Sequence, residues 1–205
     1  MRRLCLLALG SSLVAGDLPR ICYSKSFPGS VPAYVSITLD QNGGGEYKEA
    51  PEDDQPLSFQ MADTDTAEMF ALAKKLNHFS RPLESNLKVA NMGLKTFCFE
   101  HREVKHEVKF NFTEEPEARL LVNWFERISE TEQYLIQLDR AARYDKLGVN
   151  QALLMMDAAI ARKRLVALDQ LLPILDRIAN NETYMHIARA RAAGLAEAVR
   201  ARKPK

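Results

Sequence analysis

Residues 63–112, DTDTAEMFALAKKLNHFSRPLESNLKVANMGLKTFCFEHREVKHEVKFNF, change hydrophobic period once, and that change decides the fold. Met69, Phe70, Ala73, Leu76 and Phe79 recur at helical spacing, while Glu68, Lys74, Lys75 and Asn77 fall elsewhere. This predicts an amphipathic helix over residues 65–79. Asp65 with Glu68 three residues on reads as its capping arrangement, the first side chain accepting from free amides and the second reaching back. Ser80, Arg81 and Pro82 stop it, because proline cannot continue the hydrogen-bond ladder. Beyond residue 95 the period becomes two. Residues 96–100 favour β structure, and Val104, Val108, Phe110 and Phe112 alternate with Lys105, Glu107, Lys109 and Asn111. Two strands are expected, joined through His101, Arg102 and Glu103, with Phe97 and Phe99 on one face and Cys98 on the other.

Upstream, Val35, Ile37 and Leu39 alternate with Ser36 and Thr38, and Asn42 with three glycines precedes a return segment over 46–49. That is a hairpin with a glycine tip. A phosphate cradle would need a following Lys-Ser or Lys-Thr and a helix start, and neither occurs. Residues 50–56 form an acidic, proline-bearing loop, and Leu57, Phe59 and Met61 give another strand. The long connection over 80–93, with Arg81, Glu84, Lys88 and Asn91, is the first place to look for a small-molecule site.

From Thr113 the pattern is helical. Leu121, Phe125, Ile128, Leu135, Leu138 and Ala142 make a stripe with Glu132 as its gap, so one helix of about 30 residues is expected over 114–144. Ser129 with Glu132 is an alternative capping box that would divide it. Helices over 150–164, 168–179 and 182–202 follow. Strands first and helices after them predict an α+β fold: an antiparallel sheet with helices on one face, then a C-terminal helical bundle. The expected organisation is a signal peptide at 1–16, an α+β domain at 17–128, and a helical region at 129–205 that shares the long helix.

Arg2 and Arg3 before an apolar run over 4–14, then Ala15 and Gly16, have the layout of a secretory signal too short to be a permanent anchor. Export to the periplasm or the extracellular space is therefore expected, with no stable membrane span after cleavage. The 205-residue chain is 46% apolar and 27% charged, with a net charge of +1. Removing Arg2 and Arg3 gives +1 − 2, or −1, and no basic excess points to nucleic acid. Cleavage would also remove Cys5 and leave Cys22 and Cys98, an even pair that suits a disulfide in an oxidising compartment; two buried free thiols are the alternative.

The chemical motifs are sparse. His106-Glu107 begins a zinc-protease pattern, but Phe110 stands where its second histidine belongs. Cys98, His101 and His106, with Glu100 and Glu103, are ligand types, yet strand alternation divides them between faces. No nucleophile elbow, kinase set or dinucleotide fingerprint occurs, so no catalytic residue, metal or cofactor is assigned. Arg189, Arg191, Arg200, Arg202, Lys203 and Lys205 suit a helix C-terminus and a solvated tail better than an acidic partner.

The order of strand, glycine hairpin, strand and helix with Leu76-Asn77-His78-Phe79, followed by Lys88-Val89-Ala90 and the hairpin of residues 97–112, resembles uncharacterised exported bacterial proteins that carry a domain of unknown function. The resemblance covers residues 34–128 and implies no activity. The functional expectation is an exported non-catalytic module of the cell envelope, structural or protein-binding, with its partner held by the helical region. The alternative is a periplasmic enzyme with a site near the 80–93 loop.

Overall fold

The structure, a computed structural model, describes residues 18–202. The expected signal peptide, Cys5, Lys203 and Lys205 lie outside them. Six strands form one antiparallel sheet: β1 (Arg20–Ser26), β2 (Tyr34–Asp40), β3 (Gly44–Lys48), β4 (Leu57–Gln60), β5 (Leu94–His101) and β6 (Val104–Phe110). Their spatial order is β4-β3-β2-β1-β5-β6. Alternation makes the sheet two-faced, as period-two patterning requires. Ile21, Tyr23, Ile37, Leu39, Tyr47, Phe97 and Phe99 point to one side and are buried.

Two helices cover that side, α1 (Asp63–Lys75) and the N-terminal half of α2 (Pro116–Tyr144). Met69, Leu72 and Ala73 of α1, with Leu121, Phe125 and Ile128 of α2, join the sheet residues in one core. Tyr23 stacks on Phe125 with ring centroids 5.0 Å apart. Helix α2 is continuous over 29 residues. The Ser129–Glu132 capping box is not used, because Glu132 faces inward and is buried.

The C-terminal half of α2 enters a second core with α3 (Val149–Ala161), α4 (Leu172–Ala179) and α5 (His186–Ala201). Leu138, Ala142, Leu153, Met156, Leu175 and Ala192 fill it. The α+β architecture, sheet first and bundle after, is as the sequence predicts.

Three local expectations are corrected. Helix α1 begins at Asp63, with Ala62 as its N-cap and no side-chain cap bond. Glu68 instead accepts from the Trp124 indole N–H at 3.3 Å, so tertiary packing takes the carboxylate that a capping box would use. The helix also stops before Phe79. Asn77, His78 and Phe79 form a short turn with φ of 52°, 50° and 63°, left-handed throughout. That turn still buries Phe79, which lies 4.9 Å from the Phe97 ring, so the apolar spacing is met without continuing the helix. The last helix begins at His186 rather than near residue 182, because Thr183 N–H is held by the Asn181 side chain in a turn.

Candidate functional site

On the open face of the sheet, Cys22 stands directly opposite Cys98 on one side and Thr38 on the other. The Cα atoms of the two cysteines are 4.8 Å apart, within the usual range for a bridge, and the sulfurs lie at disulfide-bonding distance. Glu107 faces Cys98 from β6, and Glu46 faces Thr38 from β3, so the row is acidic at its flanks. Cys22, Cys98 and Glu100 each bring a ligand-type atom within 4.8 Å of the others. Sulfurs bonded to each other supply no thiolates, so the group does not offer a metal set in this state. His106 belongs elsewhere: it is opposite Phe99, and its Nδ1 lies 3.0 Å from the carbonyl of His78.

The 80–93 loop is tied to the sheet by its own polar groups. The Glu84 carboxylate accepts from the amides of Asn111 and Phe112 at 2.6 and 3.3 Å. Asn111 accepts from Met92 N–H and donates to the Ala90 carbonyl. Buried Lys95 donates to the carbonyls of Met92, Gly93 and Asn111, and burial depresses its pKa. These groups hold the loop rather than converge on an open position. The glycine tip is likewise a turn, in which Asp40 accepts from the amides of Asn42 and Gly44.

Two openings lie where the two cores meet. A cleft of about 680 Å³ has Phe59, Met61, Val166 and Val199 as apolar lining, with Arg127, Asp65 and Arg202 as charged lining. Arg127 lies 4.4 Å over the Trp124 ring, and its Nε is buried without a partner. A second cleft of about 660 Å³ lies between Leu57, Ile136, Pro173 and Arg177. Gln170 lines both.

Three consecutive residues of α2 hold the chain that lines these clefts. Arg164 pairs with Glu130 at 2.8 Å. Val166 N–H donates to Thr131 Oγ1 at 3.1 Å, and Gln170 Nε2 donates to Glu132 Oε1 at 2.7 Å. Glu132 is 0% exposed, and burial raises its pKa to about 7 against the opposing pull of the Gln170 N–H. In the sequence Glu132 is a gap in an apolar stripe, and nothing near it names Gln170 as its partner. The inward position of that gap was the only available signal.

The helical region carries uncovered apolar side chains. Tyr144 and Leu147, at the α2–α3 turn, are 82% and 77% exposed. Leu154 and Met155 of α3 point outward with Ala158 one turn on, and α5, which packs on α3, exposes Ile187. By contrast the Leu121–Ala142 stripe, expected to receive a partner, is consumed internally: Leu121, Phe125 and Ile128 by the first core, Leu138 and Ala142 by the second. The basic tail is engaged locally, Arg200 with Asp176 at 2.6 Å and Arg191 with Asn150. No helix among the described residues is long and apolar enough to cross a membrane. Compared with known proteins, the chain matches no family profile, no curated protein and no solved structure.

Proposed function

We propose that this chain is an exported, non-catalytic module of the cell envelope that binds a protein partner through its helical region. The supporting observation is the set of apolar side chains that neither core uses: Tyr144, Leu147, Leu154, Met155 and Ile187. Exposed apolar side chains of a helical region suit a partner that buries them, and the energy of such interfaces is concentrated in a few residues. Export to the periplasm or the extracellular space belongs to the same reading. It rests on Arg2 and Arg3 before an apolar run, and on the disulfide spacing of Cys22 and Cys98. The resemblance to uncharacterised exported bacterial proteins over residues 34–128 is part of the proposal too.

The test uses the mature chain as bait against cell-envelope extract, beside the double variant Leu154→Glu, Met155→Glu. These side chains lie outside both cores, so the variant is expected to fold and to lose at least about tenfold in capture of a partner that wild type retains. Equal capture by both, or a monomeric wild-type chain that captures nothing, overturns the proposal.

A further inference from the structure

Glu132 lies deep in α2, and the chain returns to it through Gln170, 38 residues later. A carboxyl and a primary amide have complementary edges. The amide N–H can donate to one carboxyl oxygen, and an acid O–H can donate back to the amide oxygen, closing a ring of two hydrogen bonds. The first bond is present at 2.7 Å. The two atoms that would make the second, Glu132 Oε2 and Gln170 Oε1, are both buried and both unpartnered. As a carboxylate, Glu132 would leave two acceptors without a donor in a site closed to water. One proton on Oε2 supplies the donor that both need.

We propose that a proton shared between Glu132 and Gln170 latches the linker of residues 164–171 onto α2, and that losing it frees the linker. The linker is well placed to transmit the change. Val166 is part of the sheet core, Leu165 and Leu171 belong to the bundle core, and Gln170 lines both clefts. Releasing the latch therefore loosens the joint between the halves.

The neighbouring charges pair with other groups or line the larger cleft. On α2, Arg127 lies over Trp124, Glu130 pairs with Arg164 of the linker, and Asp139 pairs with Arg143 and with Arg177 of α4. From β3, the Tyr47 hydroxyl donates to Glu49. Asp169 of the linker, Asp65 of α1 and Arg202 line the larger cleft. None of these charges contributes to the rise at Glu132, which comes from burial and is opposed by the Gln170 N–H.

The sign follows from proton binding. The folded chain holds this proton up to about pH 7, whereas an ordinary glutamate releases it near 4.5. Between those values the latched state binds more protons, so rising pH weakens the latch until the loss levels off above the upper value.

Hydrogen exchange on the full chain reads this directly. Protection factors over 164–171 are expected to fall about tenfold per pH unit across that window. Glu132→Gln places a permanent donor at Oε2, and its profile is expected to be flat. Parallel profiles for wild type and variant overturn the proposal. Carboxyl-carbon NMR on labelled wild type needs no variant: one glutamate should titrate near pH 7. If every glutamate titrates in the ordinary range, no latch exists.

Discussion

Cys22 and Cys98 occupy the face of the sheet that the helices leave open, half-exposed between Thr38 and Glu107. Denatured but unreduced protein is expected to show neither as a free thiol, so that any reactive sulfur in the full chain is Cys5; reactivity at both positions would reject the bond. Their separation of 76 residues makes the closed loop long, and the chain-entropy model assigns such a loop roughly 4 kcal/mol. Cys98→Ser should lower stability by up to that amount in urea unfolding. This pair was legible, because strand alternation put Cys98 opposite Phe97 and Phe99 and left it on the same side as Thr96. Glu132 was not. Periodicity marks a polar residue in an apolar stripe as an interruption, and nothing local reveals an amide partner 38 residues away. Lifting a carboxyl from 4.5 to about 7 weakens folding by about 3 kcal/mol once pH has passed both values.

Among the elements, the Asn77–Phe79 turn departs furthest from expectation. Three successive non-glycine residues have positive φ, a conformation that costs roughly 1–2 kcal/mol for an ordinary residue and less for asparagine. Packing compensates: His78 lies 4.3 Å from the Phe99 ring, and Phe79 is buried against Phe97. Asn77 is exposed and makes no ring contact of this kind, so Asn77→Gly is expected to raise stability by up to about 1 kcal/mol, read from thermal unfolding. A clear loss of stability would show that the side chain itself holds the turn. The sequence signalled a stop at Pro82 but not this earlier one, since Leu76 and Phe79 keep helical spacing whichever way the chain winds. The start of α1 differs from the sequence expectation for a related reason. Glu68 has the right spacing for a cap, and only the distant Trp124 indole shows where its carboxylate is used.

At the scale of the whole molecule, one helix serves two cores. The order of strands and helices was enough to predict an α+β fold with a bundle after it. The apolar stripe of α2 did not reveal that its two ends serve different interiors, because periodicity reports that a face is buried but not what buries it. A fragment of residues 18–145 keeps every strand but leaves Leu138 and Ala142 uncovered and removes Val166 from the sheet core. It is expected to melt without a cooperative transition, or well below the full chain, in calorimetry; an unchanged cooperative melt would show that the sheet half stands alone. The shared helix also orders events during synthesis. All six strands leave the ribosome before any residue of α3, yet Val166, a member of their core, emerges only after that helix. Until then the nascent sheet core lacks Val166, and the segment that brings it is the linker that α2 grips at Glu130, Thr131 and Glu132.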